Sequence, residues 1–450
     1  MRRTPLEGWI RERIACGAPP AGFGRQEISR YQEGKLREVV DRVVSHSPFY
    51  RERLAGFSAD DLRTLADLER FPFTTAADLR EQGPRMLCVS QDEIARVVTL
   101  QSSGTTAASK RIFFTESDLE LTLDFFHHGM STLVEAGQRV LVLMPGERPG
   151  SVGDLLVKAL ERMRVEGLVH GPVADPAGTI SEIRRLGIDC LVGLPTQVLA
   201  LARHPQAREA GMDRIRSVLL CSDYVPTAIV RELRRVWSCR VFSHYGMTEM
   251  GLGGGVDCDA GKGYHLREAD LYFEIVDPAT GLARPEGEHG EIVFTTLTRT
   301  GMPLVRYRTG DMSRFLPKPC PCGTVLKGLH CVRGRLEGGV TIGRQDLTID
   351  MAALDEALFP VDGLLDFEAV VTRDGVRNVL TLTLRVAEDR THTAAGEILP
   401  RLTAIPAIRR AILEDSLILS RPRLARDPLL CAAMAKRRIL DERQGNGADA

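Results

Sequence analysis

At 450 residues, with 43% hydrophobic and 26% charged side chains, the chain has the composition of an ordinary globular protein and more length than one hydrophobic core organises, so two or three domains are expected. Its 59 Lys and Arg offset 60 Asp and Glu, which leaves no net field to collect nucleic acid or an anionic membrane surface and points to a small-molecule partner. No stretch approaches the roughly 18 apolar residues of a membrane span, and the basic start Met1-Arg2-Arg3 leads into no apolar run, so the expected compartment is the cytoplasm.

Residues 1 to about 90 read as helical, with apolar residues at helical spacing from Ile28 to Val44 and a stop before Ser47-Pro48. The stretch Gln101-Ser102-Ser103-Gly104-Thr105-Thr106 then stands between the apolar runs Val97–Leu100 and Ile112–Phe114. Four hydroxyls and one Gly in these six residues let a backbone bend closely around an anion, and Lys110 and Arg111 add positive charge just beyond it. Thr115-Glu116-Ser117-Asp118 has capping-box spacing for a helix whose apolar face runs through Leu119, Leu123, Phe126, Met130 and Leu133. His127 and His128 beside that stripe are expected at the core edge.

From Arg139 the pattern alternates. The runs Val140–Leu143, Cys190–Leu194 and Val218–Cys221 are each followed by a helical segment, and Arg240-Val241-Phe242 closes the series. Short continuous apolar strands alternating with helices predict a parallel sheet covered on both faces, with ligands gathered at the strand ends. The loop after Phe242 carries Ser243-His244-Tyr245-Gly246-Met247-Thr248-Glu249, where a ring, a turn, a hydroxyl and a carboxylate suit a base, a phosphate and Mg²⁺. A third stretch, Arg306-Tyr307-Arg308-Thr309-Gly310-Asp311, predicts an exposed Asp after a tight turn, able to accept two hydrogen bonds from a ribose. The surroundings of Gly251 and of Gly261-Lys262 fit neither a dinucleotide fingerprint nor a Walker loop.

Taken in order, the three stretches resemble the motifs of the adenylate-forming superfamily, and within it the phenylacetate–CoA ligase-like branch. Branch-level similarity also covers His46–Tyr50, Phe71–Thr75, Gly263–His265, Gly287–Asp311, Gly334-Arg335 and Ala435–Arg438. The resemblance implies an α/β fold: a large N-terminal domain with doubly wound, mostly parallel sheets over residues 1–335, including the helical lead-in, and a small mobile α+β domain over 336–450. It implies that Ser102, Ser103, Gly104, Thr105 and Thr106, supported by Lys110, wrap the β- and γ-phosphates of ATP. Tyr245, turning at Gly246, would stack on adenine, Thr248 contact the α-phosphate, Glu249 hold Mg²⁺, Asp311 bind the ribose and Arg335 support it. Lys436 would neutralise charge where carboxylate and α-phosphate meet, as attack of one anion on another requires. The expected reaction is formation of an acyl-adenylate followed by transfer to coenzyme A. The acid would lie against the segment after Val142, Ser222-Asp223-Tyr224 and His244–Met250.

The sequence departs from the superfamily pattern at Ala107, where the loop's final Gly is usual, at Ala76, and after Arg335, where Leu336-Glu337-Gly338-Gly339 replaces an acidic pair. Two further readings therefore stay open: an adenylating enzyme that passes its acyl group to a carrier-protein thiol or an amine, and a degenerate nucleotide-binding regulator. Ten Cys are too few for a disulfide framework. Cys258 and His265, with Cys320-Pro321-Cys322 and Cys331 as a spare, are candidate ligands of a closed, structural Zn²⁺ site. In the C-terminal part, Phe367–Val371 and Val379–Leu384 around Asp374-Gly375 predict a hairpin, Ala395–Leu402 a helix and Leu417–Leu419 a strand. A homodimer is the default expectation for a soluble enzyme.

Overall fold

The structure is a computed structural model that describes residues 2–15, 22–100, 109–209, 211–344, 347–387, 391–425 and 436–443. The hydroxyl-rich loop Ser102–Thr106 lies outside the described residues, as do Ala107, Ala435 and the polar tail from Gln444. The chain divides into two compact units, one of residues 1–137, 146–167 and 242–332, the other of residues 138–145, 168–241 and 333–450.

The first unit opens with the expected helices. The stretch predicted from Ile28 to Val44 forms Arg25–His46, and Ser47 ends it by capping the next helix, Pro48–Arg53, whose first position is taken by a Pro with no N–H to lose. The capping box at Thr115 forms as expected: Thr115 Oγ1 accepts from the Asp118 N–H at 3.2 Å, Asp118 accepts from the Thr115 N–H at 3.1 Å, and the helix runs from Glu116 to Met130. Leu123, Phe126 and Met130 of its apolar face are buried, as is Leu133 just past its end. His128 stacks between Trp9 and His127, a core-edge packing role.

Strands Arg96–Leu100 and Lys110–Phe114 pair antiparallel, with Arg96 opposite Phe114 and Leu100 opposite Lys110. Three antiparallel strands, Leu271–Val276, Gly290–Thr296 and Tyr307–Ser313, form a second sheet whose inner face supplies Phe273, Ile292, Phe294 and Tyr307 to the core of this unit. Burying each such side chain contributes about 1.5–3 kcal/mol before conformational entropy is subtracted.

In the second unit, strands Arg139–Val142, Cys190–Gly193 and Ser217–Leu220 run parallel. Every residue of the latter two is buried, which is why they read as continuous apolar runs rather than alternating ones. The helices Pro176–Leu186, Pro195–Arg203 and Thr227–Trp237 belong to the same unit and its apolar core. The C-terminal hairpin forms at the predicted place, Leu364–Asp374 against Arg377–Val386, with Gly375 at φ +58° in the turn. Parallel strands Leu417–Leu419 and Ile439–Asp441 flank it. Arg203 donates to the carbonyls of Phe359 at 2.8 Å and Val361 at 3.0 Å, so helix Pro195–Arg203 is tied to the stretch that leads into this sheet. Among the described residues no helix is long and apolar enough to cross a membrane.

Candidate active site

The chain leaves strand Arg240–Tyr245 through Gly246 into the short helical turn Thr248–Met250. Gly246 is required by close approach: a Cβ there would collide with the carbonyl oxygen of Leu252. Two side chains from elsewhere pin the turn. Thr122 Oγ1 donates to the Gly251 carbonyl at 3.0 Å, and Arg299 Nη1 donates to the Glu249 carbonyl at 2.9 Å. Arg299 is itself buried with its guanidinium 4.8 Å from the Phe114 ring, and burial pushes it down to about 10, so it stays protonated at neutral pH.

The pinned turn aims Glu249 inward, 2% exposed. Its Oε1 accepts from Lys110 Nζ at 2.5 Å and from the Tyr307 hydroxyl at 3.3 Å. An ammonium, a carboxylate and a phenol from three separate stretches thus meet at one atom. A buried carboxylate persists only when paired and hydrogen-bonded in this way. A second pair joins the same two stretches: the Tyr245 hydroxyl donates to Asp311 Oδ2 at 3.1 Å.

Asp311 corrects an expectation. It is not exposed after a tight turn: it lies within strand Tyr307–Ser313 and is 2% exposed. The Thr-Gly pair before it makes a kink rather than a chain reversal. Thr309 Oγ1 donates to the Ile292 carbonyl at 2.7 Å, Gly310 adopts φ +73°, and the pairing shifts from Glu291 opposite Met312 to Val293 opposite Arg308, so Asp311's strand holds two extra residues there. This is the signature of a β-bulge, which re-aims a side chain without ending the strand. Tyr245 is likewise buried, its ring centroid 5.9 Å from that of Tyr264.

The second unit holds the remaining assigned residues. Ser222, just past strand Ser217–Leu220, has φ +71°, a strained conformation for a non-glycine residue of the kind that clusters at functional loops. Asp223 follows, held above the usual carboxylate range by burial, with Arg437 and Lys436 pulling the other way. Tyr224 donates to Glu356 at 2.6 Å. Arg335 is exposed on the short strand Gly334-Arg335. Lys436 is exposed, next to an Arg437 that pairs with Asp355 at 2.7 Å and Asp366 at 3.0 Å.

Sequence reasoning missed two contributors. Tyr307 stood inside a recognised stretch, but only Asp311 was given a role there. Arg299 carried no local signal, since its partners are a backbone carbonyl 50 residues away and an aromatic face.

Beside the Glu249 turn, in the same unit, a cavity of about 200 Å³ opens between Val98, Phe114, Leu155 and Leu252. Its wall from Gly150 to Leu155 belongs to the segment after Val142 that was expected against the acid.

The Cys and His residues singled out by spacing do come together. Cys258, His265, Cys320 and Cys322 are all buried, with their ligand atoms within 4.8 Å of one another. Cys258 Sγ lies 3.6 Å from Cys320 Sγ and 3.3 Å from His265 Nε2, and Cys322 Sγ lies 3.4 Å from His265 Nε2. A tetrahedral ion with Zn–S near 2.3 Å and Zn–N near 2.0 Å sets such separations at roughly 3.5–3.8 Å, slightly wider than the two Sγ–Nε2 distances here, and three thiols with one imidazole are donor types that suit Zn²⁺. Burial pushes the Cys258 and Cys320 thiols up and His265 down to about 4, which leaves the imidazole neutral and ready to ligate. Cys331 stays outside the group.

The fold is α/β, and acidic, basic and phenolic groups converge at the turn after one of its strands. The AMP-binding enzyme family matches residues 34–298, more than half of the chain, and the chain belongs to that family. Within it, the chain belongs to the phenylacetate–CoA ligase-like branch of the adenylate-forming enzymes. It is 28% identical over 389 residues to the phenylacetate-coenzyme A ligase of Thermus thermophilus, covering 83% of this chain and 85% of that protein. It is 30% identical over 303 residues to the phenylacetate-coenzyme A ligase of Pseudomonas putida, covering 64% of this chain and 67% of that protein. Among solved structures, 2-hydroxyisobutyryl-CoA ligase in the postadenylation state with 2-HIB-AMP shares the fold, with a TM-score of 0.78 and 22% identity over 94% of this chain and 91% of that one.

Proposed function

We propose that the protein is an AMP-forming carboxylate–CoA ligase. The acid's carboxylate oxygen attacks the α-phosphorus of ATP, releasing pyrophosphate and leaving an acyl-adenylate. The thiol of coenzyme A, losing its proton, then attacks the acyl carbon, and AMP departs with the carboxylate oxygen. The observation that carries this reading is the convergence of Lys110, Tyr307 and Glu249 on one buried atom beside the Tyr245–Asp311 pair, in a chain of the AMP-binding family.

In this reading Lys110 offsets Glu249 until nucleotide arrives, and its ammonium then supports phosphate. Glu249 is the residue that would hold Mg²⁺, which supplies positive charge to the departing pyrophosphate. Asp311 would accept from the ribose while Tyr245 orients it, and Thr248 would contact the α-phosphate. Ser102–Thr106 and Arg335 keep the nucleotide-binding roles implied by their motifs, Ser222 and Asp223 would lie where the acid meets the nucleotide, and Lys436 is the cation for the adenylation step. Residues from about 336 onward would serve as the small domain that changes place between the two half-reactions. Cys258, His265, Cys320 and Cys322 would hold a structural Zn²⁺, which supplies a cross-link and no chemistry. The protein is read as cytoplasmic, a compartment in which its cysteines would stay reduced.

The test is pyrophosphate release with ATP, Mg²⁺ and a panel of aryl, short-chain and dicarboxylic acids, with and without CoA. Release that requires an acid, and a thioester that requires CoA, is the expected result. An acid-dependent release whose product CoA never captures would move the acceptor to another thiol or an amine.

A further inference from the structure

The cavity beside Glu249 has a polarity that a plain hydrocarbon tail would not use. Opposite residues of an antiparallel pair share a face, so Arg96 with Phe114, Val98 with Ile112 and Leu100 with Lys110 all lie on one face of the hairpin. Lys110 stands at one end of that face, on Glu249, where the phosphates are read to lie. Arg96 stands at the other end, four residues along a strand, about 13 Å away. Between them Val98 and Phe114 line the cavity, with Leu119, Val152 and Leu155 adding apolar wall.

Arg96 is the charged side chain among the lining residues, and Ser151 is beside it. Arg96 Nη1 donates to the Pro149 carbonyl, yet its Nε is buried with no acceptor, and the Ser151 hydroxyl is buried with no partner either. Asp154 faces Arg96 through its charge without a hydrogen bond to it, and its carboxylate accepts from the Gly150 N–H at 2.6 Å and from Lys158 at 2.9 Å. Two buried donors left unmet carry a desolvation cost that an incoming acceptor removes. The volume also bounds the ligand: an apolar cavity of roughly 150 Å³ accepts benzene, so about 200 Å³ takes one ring or an equivalent short chain with a compact polar end.

We propose that the activated acid carries a second carboxylate on a compact ring or chain, received by Arg96 and Ser151 at the end of the cavity away from Lys110. The inference rests on the carboxylate–CoA ligase reading and narrows it to a diacid of which one carboxylate is activated and the other is held.

The experiment compares pyrophosphate release for matched pairs, phenylacetate against 1,4-phenylenediacetate and hexanoate against adipate, in the full-length wild type, Arg96→Met and Arg96→Lys. A charge-assisted hydrogen bond predicts that wild type favours the diacid in kcat/KM by roughly ten- to a hundredfold. Arg96→Met should bring that ratio near unity by losing on the diacid side, and Arg96→Lys should keep part of it. Equal kcat/KM for both members of each pair in wild type, or a ratio that Arg96→Met leaves in place, overturns the inference while the ligase reading stands. Silence with every acid, mono or di, overturns the ligase reading and the inference with it.

Discussion

Glu249 shares one oxygen between an ammonium at 2.5 Å and a phenol at 3.3 Å, with its own carbonyl fixed by Arg299. Glu249→Gln preserves the shape and both donors' reach but removes the charge that a divalent cation and Lys110 require. Loss of an electrostatic group at a phosphoryl-transfer centre should lower kcat for pyrophosphate release by roughly 10²-fold. Stopped assays over an ATP and Mg²⁺ range would check this, and a change under threefold would remove Glu249 from the metal role. His244, one residue before Tyr245, gives a pH signature. Burial pushes it down to about 4 from an ordinary 6.5, and its Nε2 has no partner. Between those values the unfolded chain binds a proton that the folded one refuses, so stability falls as pH drops from about 6.5 toward 4. Denaturant midpoints at pH 7 and pH 5 should therefore differ less in His244→Phe than in wild type.

The turn that carries Tyr245 to Glu249 depends on a backbone that passes against itself. A Cβ at Gly246 meets the Leu252 carbonyl, which cannot rotate away as a side chain can. Gly246→Ala should cost about 1–3 kcal/mol and raise the KM for ATP, read by thermal unfolding and initial rates, because the same shift displaces Glu249 from Lys110. The cysteine–histidine cluster joins strand Tyr264–Leu266 to the Cys320–Cys322 turn across more than fifty residues. If zinc is the ligand, metal analysis should give one ion per chain, and chelator or Cys258→Ser should lower the unfolding midpoint with only a secondary effect on KM. These elements also mark what could be read from residues alone. The capping box at Thr115, the continuous apolar strands and the hairpin at Gly375 were legible because local physics decides each of them. The bulge that buries Asp311 was not, since it is set by how its strand pairs with one some twenty residues earlier. Arg299 was illegible for the same reason: its partners are chosen by the fold and not by its neighbours in sequence.

Across the whole molecule, the two half-reactions make opposite demands. Forming the adenylate brings two anions together and needs a cation between them, whereas thiol attack on the adenylate needs that space cleared. Lys436 suits a cation that serves the first step alone. It is exposed at its tip, while the next residue, Arg437, is held by Asp355 at 2.7 Å and Asp366 at 3.0 Å, with its guanidinium 4.6 Å from the Phe367 ring. The backbone that carries Lys436 is therefore anchored at Arg437 while its ammonium keeps its reach. Lys436→Ala should reduce pyrophosphate release by roughly 10²- to 10³-fold, the scale for removing one preorganised electrostatic group. Thioester formation from chemically supplied acyl-adenylate should change by less than about threefold, since that step breaks no phosphoanhydride. Arg437→Met should weaken the first step less than Lys436→Ala does, because it loosens the anchor without deleting the charge. Measured separately, equal losses in both half-reactions for Lys436→Ala would show that the lysine supports structure or substrate binding in general, and the adenylation cation would then have to be sought at Lys110.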